Sequence, residues 1–120
     1  DWLRLEIPYL GPLARKIALS RVARTLGILL SSGIPTLLAL KVAGSASDNS
    51  IIRDAMERIA AEMMKGTRFS ELLENSDVFP RVFTQMVEAG EESGEVTAML
   101  LRLGDFFEEE DGADGAFGAR

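Results

Sequence analysis

Residues 29–40 read Leu29-Leu30-Ser31-Ser32-Gly33-Ile34-Pro35-Thr36-Leu37-Leu38-Ala39-Leu40, and the reading of this stretch decides the fold. Gly33 accepts the left-handed conformation that ends a helix. Two residues on, Pro35 lacks only an N–H that the first turn of a new helix would leave unbonded. A helix therefore stops and another starts within four residues, which leaves no room for a strand.

Working outward, apolar residues recur at helical spacing on both sides. From about Leu13 to Ser31, Leu19, Val22, Leu26, Leu29 and Leu30 form one stripe with Arg15, Lys16, Arg21 and Arg24 mostly off it. The second helix, to about Gly44, carries Leu37, Leu38, Leu40, Val42 and Ala43; being apolar nearly all round, it is expected to be the most buried of the set. Ser47-Asp48-Asn49-Ser50 supplies capping side chains for a third helix with Ile52, Ala55, Met56, Ile59 and Met63, closed by Lys65-Gly66. Ser70 is expected to cap a short fourth helix bearing Leu72 and Leu73, anchored by Phe69. Pro80 opens a fifth with Val82, Phe83, Met86 and Val87. The segment Gly90-Glu91-Glu92-Ser93-Gly94 is expected to break it, before a sixth with Val96, Met99, Leu100, Leu103, Phe106 and Phe107. With such short connections the fold class is all-α, a single compact bundle of six antiparallel helices. The domain is placed at residues 1–110; residues 111–120, glycine-rich and aperiodic, are expected to be a disordered tail, a cloning remnant being one origin.

Composition sets the classes of function that remain. The chain has 120 residues, 47% hydrophobic and 27% charged, the makeup of one globular domain. It has no cysteine and no histidine, which removes thiolate nucleophiles, disulfides, zinc–thiolate sites and the commonest general base. The net charge of −6 opposes nucleic-acid binding. That charge is polarised: residues 1–60 carry eight Lys/Arg against five Asp/Glu, residues 61–120 five against fourteen. The uncharged run Thr25–Leu40 is too short, and too broken at Ser31-Ser32-Gly33-Ile34-Pro35, to cross a bilayer. With no initiator Met and no signal-peptide pattern, the chain reads as a piece of a longer polypeptide.

Each motif has a structural and a functional reading. In Gly90-Glu91-Glu92-Ser93-Gly94 the glycines permit a tight reversal, Ser93 is placed to cap helix six and Glu95 suits its positive end; the same exposed acids can contact a partner or an ion, and replacing Glu91 and Glu92 by Gln is expected to leave the fold intact. Glu88, Glu91, Glu92 and Glu95 are weak candidates for a hard cation such as calcium or magnesium, against a solvated acidic face as the alternative. The run Glu108-Glu109-Glu110-Asp111-Gly112-Ala113-Asp114 fails EF-hand spacing. Arg15, Lys16, Arg21 and Arg24 suit anionic lipid or an acidic partner, and equally an ordinary solvated helix face. Met56, Met63, Met86 and Met99 lie on the apolar stripes and read as core; Trp2 and Tyr9 suit a membrane interface or packing onto the bundle.

Taken together, Ile7-Pro8-Tyr9-Leu10-Gly11-Pro12-Leu13, Ala23-Arg24-Thr25-Leu26, Leu29-Leu30-Ser31-Ser32-Gly33-Ile34-Pro35, Ala39-Leu40, Phe79-Pro80, Gly90-Glu91-Glu92-Ser93-Gly94 and Met99-Leu100 resemble, in order and spacing, a cytoplasmic domain of the type II secretion system F / type IV pilus PilC family. The resemblance covers roughly residues 2–110. It implies a polytopic inner-membrane platform protein with two homologous cytoplasmic six-helix domains, of which this chain resembles one, through its opening and closing stretches the second. It also implies a noncatalytic scaffold on the cytoplasmic face of the bacterial inner membrane, coupling an assembly ATPase to pilin or pseudopilin assembly. Partners would be that ATPase, other platform components and a second copy in a homodimer or weaker self-association, with no cofactor required. Partner-binding residues are then sought in Gly90, Glu91, Glu92, Ser93 and Gly94 and in Arg15, Lys16, Arg21 and Arg24. A helix-turn-helix DNA-binding domain is the alternative, drawn from the short helices and Arg21/Arg24. A hydrolase using Glu91 and Glu95 has no source for a raised pKa in an exposed turn.

Overall fold

A computed structural model describes residues 2–118, with side chains described for 11–109. Six helices follow one another and no strand occurs among the described residues: α1 (Trp2–Ser31), α2 (Thr36–Ser45), α3 (Ser50–Met63), α4 (Phe69–Asn75), α5 (Arg81–Ser93) and α6 (Val96–Gly118). The all-α bundle expected from periodicity is the observed fold. α1 begins well before the stripe that starts at Leu13, and at 30 residues it is about 45 Å long, matching the 43 Å longest dimension of the molecule. α6 runs helical through Gly118, so the backbone does not break at 110/111, where the tail was placed. The side chains of that tail, and those of Trp2 and Tyr9, lie outside the described residues.

The reversals are built on three glycines with positive φ: Gly33 (88°), Gly66 (99°) and Gly94 (77°). At the first, the Gly33 N–H donates to Leu30 O at 3.0 Å and the Ile34 N–H to Leu29 O at 3.1 Å, the paired bonds that close a helix on a left-handed residue. Pro35 precedes α2 with φ −58° and ψ 145°, as a proline entering a helix does. Asn49 caps α3, its side chain accepting from the N–H groups of Ile51 (2.9 Å) and Ile52 (3.1 Å).

The core runs through all six elements: Leu19, Val22 and Leu26 of α1, Leu40 of α2, Ile52, Met56 and Ile59 of α3, Leu73 of α4, Phe83 and Val87 of α5, and Leu100 and Leu103 of α6 are buried. Phe83 sits between Phe79 and Phe107, with ring centroids 5.1 and 6.3 Å away. Helices α1 and α6 form the most extensive pair. They close because Gly27 faces Leu101 and Gly104 faces Arg24, and the buried Ser20 hydroxyl donates to Gly104 O at 2.8 Å. Burial of α2 departs from expectation. Only Ala39, Leu40, Ala43 and Gly44 are inside, while Leu38 is 50% exposed and Val42 41%. Gly44 brings α2 against Met56 of α3, and Leu38 and Val42 lie on the exposed side of the helix.

Candidate interaction surfaces

The Gly90–Gly94 segment is not a loop. α5 continues to Ser93 and the reversal is made by Gly94 alone, with the Glu95 N–H donating to Gly90 O at 2.7 Å. Gly90 is buried inside the helix because α6 crosses there: a Cβ on it would lie 2.7 Å from Val96 Cα. Ser93 does not cap α6; its hydroxyl donates to Ala89 O, one turn back in its own helix, at 2.9 Å.

Glu91 is committed within the fold. Its carboxylate accepts from the Ser70 N–H at 3.0 Å and from the Ser70 hydroxyl at 2.5 Å. Ser70 was expected to cap α4, but Arg68 holds the cap position without a side-chain bond and Ser70 lies in the first turn. Glu91 thus supplies, from 21 residues away, the carboxylate that satisfies an N-terminal N–H of α4. No spacing rule in the sequence reveals this pair. Glu88, Glu92 and Glu95 are exposed, and no three carboxylates among the described residues gather into a group able to hold a metal ion.

Arg15, Lys16, Arg21 and Arg24 of α1 are divided among three settings. Arg24 reaches across to α6, 2.8 Å from Asp105 and 2.5 Å from Glu108. The hydrogen bond to Glu108, with that to Asp105 and the attraction of both carboxylates acting against burial, holds its guanidinium above the usual arginine range. Arg21 lies 3.9 Å from Asp48, both highly exposed. Arg15 and Lys16 line a groove of about 600 Å³ between α1, the start of α5 and α6.

A second cleft, about 590 Å³, joins segments far apart in the chain: Gly33, Ile34 and Pro35 line it together with Gly90, Glu91 and Gly94. Both glycine motifs therefore meet at one end of the bundle. No buried side-chain nitrogen or oxygen among the described residues lacks a hydrogen-bond partner, and no helix there is long and apolar enough to cross a membrane.

Architecture and surfaces define the class: an all-α six-helix domain with grooves between its helices. The chain belongs to the family of type II secretion system (T2SS) protein F, whose family model matches residues 22–114. It is 36% identical over 110 residues to the type IV pilus assembly protein PilC of Myxococcus xanthus, covering 92% of this chain and 26% of that protein. Identity to the type IV pilus assembly protein TapC of Aeromonas hydrophila is 40% over 110 residues, 92% of this chain and 27% of that one. Identity to the type II secretion system protein F of the same organism is 34% over 101 residues, 84% of this chain and 26% of that one. The chain spans about a quarter of the length of these relatives.

Proposed function

We propose that the chain is a noncatalytic scaffold domain of an inner-membrane platform protein, lying on the cytoplasmic face. There it couples a cytoplasmic assembly ATPase to pilin or pseudopilin assembly. The reading rests on the family match along most of an all-α chain whose polar contacts, Arg24 with Asp105 and Glu108 and Glu91 with Ser70, tie helices together rather than converge on a reactive point. Its work is then to hold and relay. Surfaces for neighbouring components are the end of the bundle where the two glycine motifs meet, with exposed Glu92 and Glu95 beside it, and the basic part of α1. A second copy of the domain is among the partners, and no resident cofactor is involved. No observation favours the helix-turn-helix reading.

The test uses the full-length parent in a bacterium lacking its own copy. Wild-type protein should restore secretion or piliation, and a parent carrying Glu88→Gln, Glu92→Gln and Glu95→Gln should not, at equal protein level and equal melting temperature of the domain. Full restoration by the triple variant would remove the acidic end of the bundle from the assembly surface. Full restoration by a parent from which this domain is deleted would refute the scaffold role.

A further inference from the structure

Each helix packs against its neighbours in sequence and α6 closes back onto α1, so the helices make a ring. The least extensive seam of that ring lies between α3 and α4. A groove of about 340 Å³ runs along it, lined by Ile59 and Glu62 of α3 and, across the gap, by Leu72, Asn75 and Val78. At seven residues α4 is also the shortest of the helices, too short to keep its shape without tertiary contacts, and its N-cap residue Arg68 makes no side-chain bond to it. Phe69 and Leu73 are buried and hold it down. The polar tie is Glu91 of α5, whose carboxylate takes both the N–H and the hydroxyl of Ser70; among the described residues no other side-chain hydrogen bond joins α4 to another helix. Both flanks of α4 are free of regular structure. Gly66, with φ 99°, lies before it, and after it the backbone is extended at Ser76 until Phe79 is buried against Phe83.

We propose that α4, with the chain from Gly66 to Val78, is a flap that opens while the other helices stay folded, and that Glu91 is its latch. Opening uncovers chiefly Phe69 and Leu73, whereas global unfolding uncovers a core that reaches from Leu19 to Phe107. The local event therefore costs less and is visited more often. It breaks the ring at its smallest seam and takes both Ser70 bonds from Glu91. Arg68 and Phe69 also form part of the wall of the cleft where Gly33 and Gly94 meet, so the flap changes the shape of that end of the bundle. Glu91 lines the same cleft, which puts the latch within reach of whatever occupies it. The device goes beyond the scaffold reading and does not depend on it.

The experiment is amide hydrogen exchange of the intact 120-residue chain, followed by NMR at urea concentrations below the unfolding transition. The Leu72 and Ser76 N–H groups donate to Arg68 O and Leu73 O, so they report on α4. After correction for intrinsic rates they should exchange about tenfold or more faster than the amides of Leu26, Val87 and Leu103, and hardly respond to urea, while the core rates climb with it. Glu91→Gln should speed the α4 amides by about 5- to 30-fold, equivalent to about 1–2 kcal/mol at tenfold per 1.4 kcal/mol, with far-UV circular dichroism unchanged and the α4 rates still flat in urea. Ser70→Ala removes the hydroxyl but keeps the N–H, and should act in the same direction by less. Equal protection and equal urea dependence in α4 and the core would overturn the proposal, since α4 would then open only with the whole domain. Fast, urea-independent exchange spread over α3 as well would overturn the flap by making the α3–α4 pair the moving unit. Rates in α4 indifferent to both Glu91→Gln and Ser70→Ala would overturn the latch. None of these outcomes depends on secretion or piliation in cells, so the scaffold role stands or falls separately.

Discussion

Glu91→Gln should destabilise the domain even though the change is nearly isosteric and the residue belongs to a segment whose charges were expected to be dispensable. The Glu91 carboxylate accepts two bonds, from the Ser70 N–H at 3.0 Å and its hydroxyl at 2.5 Å, and Ser70 is 3% exposed. Hydrogen bonds to a charged group contribute about 1.5–3 kcal/mol each where they are buried, and Glu91 is half-buried. The amide keeps one carbonyl acceptor and turns an NH2 toward the other donor, so the loss should be about 1–2 kcal/mol. Glu91→Ala removes both acceptors, strands the buried Ser70 N–H and should cost about 2–4 kcal/mol. For a chain of this length 1 kcal/mol corresponds to about 4 °C in Tm, so the Gln variant should melt about 4–8 °C early. Urea denaturation followed by circular dichroism gives the free energies. Combining Glu91→Gln with Ser70→Ala in a double-mutant cycle isolates the pair. Glu92→Gln, exposed and one residue along, should stay within about 0.5 kcal/mol of wild type. Identical midpoints for the Glu91 and Glu92 variants, or additive effects of Glu91→Gln and Ser70→Ala, would refute the helix-tethering role.

Three further outcomes are expected. Leu40→Ala, at a site with no exposure, should cost about 2–5 kcal/mol in urea denaturation, whereas Leu38→Ala, half exposed, should cost less than about 1 kcal/mol. Gly90→Ala should cost about 1–3 kcal/mol, because the new Cβ would meet the Val96 backbone at 2.7 Å; Gly27→Ala should cost less, since its nearest neighbours are the movable side-chain carbons of Leu101. Arg24→Ala should cost at most about 1 kcal/mol, as its partners Asp105 and Glu108 are largely in water, and its effect should shrink as salt is raised from 0.05 to 0.5 M in parallel thermal melts, a range chosen as roughly spanning Debye lengths above and below 10 Å.

Much of this molecule was legible because its information is local. A helix is closed by bonds between residues four apart, and the period of Leu19, Val22 and Leu26, or of Ile52, Met56 and Ile59, states both that the segment is helical and which side is inward. Gly33, Gly66 and Gly94 could be placed at the ends of their helices because only glycine takes positive φ without steric cost, and all three do so. Asn49 capping α3 follows from side-chain reach alone.

Tertiary structure decided what depends on the arrival of a distant neighbour. α2 is apolar nearly all round, so its pattern alone did not say that Leu40 would be inside and Leu38 outside; the position of α3 against Gly44 chose the face. Gly90 reads as a turn residue, yet it is a helical glycine required by the crossing of α6. Glu91 reads as one of several equivalent surface acids until α4 and α5 are packed, when it alone meets Ser70. Arg15 and Arg24, on one helix and alike in sequence, part company because α6 offers carboxylates to the second and an aromatic groove to the first. Local bonding determines whether a segment is a helix and where it stops, but the energy of burying a side chain or pairing a charge depends on what lies across the gap, and that is set only when the helices meet.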